Sequence, residues 1–97
     1  MRHFFRSQLL PDDVLRVADT FFPALKLMRT AQASRARTFQ GELGTLSMTV
    51  KKEGGHYTFV EVHTDQMGES RLDRNAKKFF VELHRIQEPT RTLDASY

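Results

Sequence analysis

The chain contains no cysteine and no tryptophan, and only 3 prolines and 5 glycines among its 97 residues. Without cysteine there can be no disulfide, thiolate nucleophile or thiolate metal site, so the fold must be held by packing. Long apolar runs are missing too. No segment approaches the ~20 residues of a transmembrane helix, and Met1 to Leu10 lack the apolar core of a secretion signal, so a soluble, cytoplasmic protein without a membrane partner is expected. Charge of one sign is in short supply: 15 Lys and Arg stand against 12 Asp and Glu, a net charge of +3 that permits a nucleic-acid partner without requiring one. Gly54-Gly55 is followed by neither Gly-Lys-Ser/Thr nor Gly-x-Gly-x-x-Gly, which excludes a phosphate-binding loop of those kinds.

What is present is alternation. From Arg35 to Thr64 apolar and polar residues alternate with the period of two of a half-buried strand, and glycines punctuate the stretch at two reversals. A meander of three antiparallel strands is expected. A two-residue turn at Leu43-Gly44 sets Phe39 opposite Met48 and Gly41 opposite Leu46. A three-residue loop at Glu53-Gly54-Gly55 pairs Met48 with Val60 and Leu46 with Val62. That register keeps charge out of the core, since a slip of one residue would exchange every side chain between the two faces. The inner face is then Phe39, Leu46, Met48, Val50, Val60 and Val62. The outer face carries Thr38, Gln40, Glu42, Ser47, Thr49, Lys51, Tyr57, Phe59, Glu61 and His63.

Arg2 to Leu10 reads as a further strand, in which neither parity is cleanly apolar. Pro11 followed by Asp12 and Asp13 starts a helix, because proline suits the first turn and acidic residues its positive end. Val14, Val17, Ala18, Phe21 and Leu25 form its apolar stripe, widened by Leu15 and Phe22. Pro23 predicts an end or kink around Thr20 to Phe22, with a short helical segment to Arg29 and a mobile linker from Thr30 to Ser34. Thr64 to Glu69 reads as a mobile connection. Ser70 and Asp73 form a variant capping box for a second helix. Leu72, Ala76, Phe79, Phe80, Leu83 and Ile86 make its apolar stripe, and Pro89 stops it near Glu88. Residues 1–89 are expected to form one α+β domain of order β-α-β-β-β-α, an antiparallel sheet with two helices packed on one face, followed by a flexible tail, 90–97.

The strand Phe4 to Leu10 leading into Pro11-Asp-Asp-Val-Leu15, and the strand Tyr57 to Thr64 leading into the helix Arg71 to Glu88, resemble a shortened helix-grip domain of the START and polyketide-cyclase type. The layout also resembles one half of a TATA-binding-protein-like fold. The chain is too short to enclose the helix-grip ligand cavity alone. The resemblance implies a half-sheet that a second copy could complete.

Candidate site residues follow from the leftover face. Tyr57 and Phe59, with Lys51 and with Phe4 and Arg6 from the first strand, put aromatic and basic side chains together. Such a surface can be a dimer interface or can stack bases and neutralise phosphates; alternatively the register is off by one and the pair belongs to the core. Arg71, Arg74 and Lys78 recur at i, i+3 and i+7 as a second basic patch, or as an ordinary solvated helix face. His63 and Asp65 could ligate one ion but have no second histidine at the spacing of a metal motif, and Glu61 with His63, though spaced adequately for an acid–base pair, is a pairing that any half-exposed strand offers, so neither a cofactor nor a metal nor catalysis is expected. The leading expectation is a non-enzymatic interaction domain that homodimerises through its sheet. Nucleic-acid binding is the alternative, and a carrier of a small apolar ligand, its cavity formed between subunits, is the third.

Overall fold

The computed structural model describes residues 1–87, so the expected helix stop at Glu88 and the tail 90–97 lie outside the described residues. The chain forms β1 (Arg2–Ser7), α1 (Pro11–Ala24), β2 (Met28–Ala33), β3 (Ala36–Gly41), β4 (Gly44–Glu53), β5 (Tyr57–Thr64) and α2 (Arg71–Gln87). The sheet order is β1-β5-β4-β3-β2, with every neighbouring pair antiparallel. The fold is α+β, as the patterning predicts, with one strand more than expected.

All six expected inner-face residues are buried. Their partners differ from expectation: Phe39 faces Leu46, and Met48 faces Val62 with Val50 facing Val60. The first turn is Glu42-Leu43 and the second loop Gly54-Gly55-His56, so each register moves by two residues. A shift of two leaves every side chain on its own face, which is why burial alone could not detect it. α1 packs on β2, β3 and β4, and α2 on β1 and β5. Phe22 of α1, Phe39 of β3 and Phe79 of α2 meet at the centre, with ring centroids 5.0 Å apart for Phe22–Phe39 and for Phe22–Phe79. All three are wholly buried.

Two expectations around Pro23 fail. The helix continues through Pro23 to Ala24, although Pro23 has no N–H to donate to the carbonyl one turn earlier, and it stops one residue after the proline. It then closes in a Schellman motif, in which Leu27 N–H donates to Phe22 O at 3.1 Å and Lys26 N–H to Pro23 O at 2.9 Å. Lys26 takes the left-handed conformation, φ 67°, at the position where glycine is usual. Leu27 turns back into the core, 1% exposed. The residues read as a helical extension and a mobile linker are therefore strand β2. Its sequence, Met28-Arg-Thr-Ala-Gln-Ala33, lacks alternation because α1 only skirts the strand and buries none of it: all six residues are exposed. The stripe of α1 is also rotated, with Leu15 and Phe22 buried and Leu25 37% exposed. Gly41 lies against this junction. A Cβ there would come within 2.7 Å of Lys26 O and 2.9 Å of Leu27 Cδ2, so only glycine lets β3 pass.

β1 ends at Ser7 rather than Leu10. Its mixed parity is explained by two buried polar residues, His3 and Ser7, on the side beneath α2. Phe5, between them, stacks on Phe80 at 5.2 Å. The capping box forms as expected: Asp73 N–H donates to Ser70 Oγ at 3.1 Å and Ser70 N–H to Asp73 Oδ2 at 3.3 Å.

Candidate functional site

Cross-strand pairing fixes the open face of the sheet. Arg6 lies opposite Phe59 and Phe4 opposite Glu61, while Lys51 flanks Phe59 from the other side. Phe59 thus sits in a row between two cations. Phe4 and Phe59 stack at 5.4 Å and 27°, and the Arg6 guanidinium lies 5.2 Å from the Phe59 ring centroid, a cation–π contact worth about 0.5–1 kcal/mol at an exposed site. The structure therefore brings Phe4, Arg6, Lys51 and Phe59 together. Tyr57 shares their face at the hairpin end, opposite Glu53.

The electrostatics of this face are less basic than its composition implies. Arg6 Nε donates to Glu53 Oε1 at 2.9 Å, and Arg2 Nε lies 3.2 Å from Glu61 Oε2. Both arginines are neutralised by carboxylates on other strands, Glu61 on adjacent β5 and Glu53 on β4 one strand beyond, which period-two reading of single strands does not reveal.

The second expected patch has a different setting. Arg71, Arg74 and Lys78 line one hollow of about 300 Å³ together with Asn75, Leu25 and Leu43. Leu25, Leu43 and Arg71 also line an adjoining hollow of about 490 Å³, bounded by Lys26, Met28 and Glu42. Two further clefts lie on the helix side of the sheet. One of about 500 Å³, between α1 and the β2–β3 hairpin, is lined by Asp12, Arg16, Asp19, Gln32 and Arg37 among others. The other, about 440 Å³ and apolar, runs between the helices along Val17, Phe21, Ala24 and Ile86.

A polar cluster that sequence reasoning found only in part lies under β1. Asp73 is wholly buried and accepts from His3 Nε2 at 2.8 Å, Thr64 Oγ1 at 2.8 Å and Ser70 Oγ at 2.6 Å. Burial pushes its carboxyl up, but the hydrogen bonds from Ser70, His3 and Thr64 outweigh burial and hold it well below the usual carboxylate range. Ser70 bonds the carboxylate and not the histidine, so the trio lacks the serine–histidine contact of an activated nucleophile. It ties β1, β5 and α2 together. The Ser70…Asp73 spacing was its visible signal; the part played by His3 had none.

Among the described residues no group of three His, Cys, Asp or Glu could hold a metal ion. Asp65 Oδ1 accepts from Thr45 N–H at 3.0 Å and Gln66 Nε2 at 2.8 Å. No described helix is long and apolar enough to cross a membrane. Comparison of the sequence with protein-family models and with curated proteins returns no match.

Proposed function

We propose that the chain is a non-enzymatic, cytoplasmic interaction domain that homodimerises by antiparallel pairing of its β2 edges. The observation that carries this reading is the full exposure of β2, an edge strand whose outward N–H and C=O groups are a template for another strand. The bulge between Arg29 and Ala31 leaves Ala31 to Ala33 as the flat, uncharged part of that edge. Pairing about Gln32 places Ala31 of one copy beside Ala33 of the other, so the three residues of each copy that pair carry no charge. The cleft beside it mixes Asp12 and Asp19 with Arg16 and Arg37, a pattern of both signs that a two-fold axis can make self-complementary. A half-sheet completed by a second copy also fits the TATA-binding-protein-like likeness.

The other readings have less support. Nucleic-acid binding through the open face has to contend with the carboxylates already on Arg2 and Arg6. A small apolar ligand finds the interior between sheet and helices filled by Phe22, Phe39 and Phe79, which leaves it only the open apolar cleft along Val17, Phe21, Ala24 and Ile86.

Sedimentation equilibrium tests the proposal. A concentration-dependent dimer is expected, converting to monomer in the double variant Ala31→Lys, Gln32→Lys with an unchanged circular dichroism spectrum. A wild-type monomer at every concentration would sink it, as would a dimer indifferent to the double substitution.

A further inference from the structure

The described arginines divide into two groups. Arg2, Arg6, Arg16, Arg29, Arg35, Arg37 and Arg85 each lie between 2.8 and 3.8 Å from a carboxylate oxygen. Arg71 and Arg74 have no such partner among the described residues, and neither has Lys78, one turn beyond Arg74. Glu69 is taken by Lys77, and Asp73 is turned inward to His3, Thr64 and Ser70. Of the residues lining the two hollows at this end of the molecule, only Glu42 carries a carboxylate, and it lines the adjoining one. Like charges at i, i+3 and i, i+4 on a helix repel one another. A chain that neutralises its other described arginines thus leaves two together, with a lysine, around a concavity.

The shape narrows the ligand. Arg71, Arg74 and Lys78 surround a hollow of about 300 Å³ whose other walls are Leu25, Leu43 and Asn75. Two guanidinium forks and an ammonium exceed what a single carboxylate needs and match the several oxygens of a phosphate. The leucines offer an apolar wall and Asn75 a neutral amide. A hollow of this size suits a compact molecule better than a polymer backbone.

We propose that this hollow binds a small phosphate ester, its phosphate held by Arg71, Arg74 and Lys78 and its apolar part against Leu25 and Leu43. The hollow is lined by no residue of β2 or of the open face, and only the adjoining one reaches Met28 at the start of β2, so it goes beyond the dimer reading and its test is separate from that one.

Inorganic phosphate and phenyl phosphate are the probes, followed by ¹H–¹⁵N resonance shifts in the full chain. Saturable shifts centred on residues 71–78, Leu25 and Leu43 are expected. Phenyl phosphate should bind more tightly than phosphate, and Leu25→Ser should remove that advantage. The double variant Arg71→Glu, Arg74→Glu, which changes only exposed side chains, should weaken binding by about tenfold or more, while Lys51→Glu on the open face leaves it unchanged. Absence of saturable shifts with either probe would overturn the proposal. So would equal loss of binding in Lys51→Glu, or binding of a single-stranded oligonucleotide at this patch with none of phenyl phosphate.

Discussion

At one edge of the sheet β1 turns His3, Phe5 and Ser7 beneath α2, while at the other β2 leaves all six side chains in solvent. The two strands have equal length and one neighbour each, so backbone pairing does not separate them. What separates them is the buried polar network. β1 is tied down by His3 to Asp73, by Ser7 Oγ donating to Gln87 Oε1 at 3.0 Å, and by the Phe5–Phe80 stack. β2 has Arg29 on Asp19 at 3.1 Å, an exposed pair that contributes little in water. One edge is thus fixed by satisfied buried groups, and the other is not.

The sharpest way to break this contrast is to remove the core on which both edges depend. Phe79→Ala should destabilise the chain by about 3–5 kcal/mol in urea titration, and a loss below about 1 kcal/mol would mean the two helices do not share that core. Next comes the network itself: Asp73→Ala leaves the donors of Ser70, His3 and Thr64 without their acceptor and should cost about 2–4 kcal/mol. Because the folded Asp73 carboxyl titrates well below its ordinary value of 3.8, its contribution is full at neutral pH. It drains away as the pH falls below that value toward the folded one. Asp73→Asn should flatten this acid limb in urea titrations across pH; an unchanged limb would sink the assignment.

Matched truncations at the two edges compare them directly. His3→Ala should cost about 1–3 kcal/mol, whereas Gln32→Ala in the monomer should stay within about 0.5 kcal/mol; equal effects would erase the distinction. The smallest effect has the opposite sign. Lys26→Gly relieves a left-handed residue and should stabilise the fold by about 0.5–1 kcal/mol, read as a raised melting temperature.

What the sequence made legible followed from covered faces. Phe39, Leu46, Met48, Val50, Val60 and Val62 could be assigned because a sheet with one dry side forces alternation, and α2 because its stripe is unbroken. β2 was illegible for the converse reason: a strand exposed on both sides has no period to read. Its entry was further disguised by Lys26 standing where a glycine would have marked the helix end, and by Pro23 inside the last turn. His3 and Ser7 looked like noise on β1 until Asp73 and Gln87 were found opposite them. On the open face the meeting of Phe4 with Phe59 could be anticipated from parity. The neutralisation of Arg2 and Arg6 could not, since Glu61 and Glu53 reach them only once strands distant in sequence are paired.

The position of β1 in the sheet also bears on how the chain is made. Arg2 lies opposite His63 and Ser7 opposite Thr58, so the earliest of the five described strands in the sequence pairs with the latest. The strands from β2 to β5 are joined by short hairpins and can zip in sequence as they emerge, at small loop-closure cost. Until β5 exists, Phe4 and Phe5 have no neighbouring strand to join, and a nascent chain in that interval carries uncovered apolar surface. The last strand pairing that synthesis makes possible is therefore the one that the folded chain ties down through a buried aspartate.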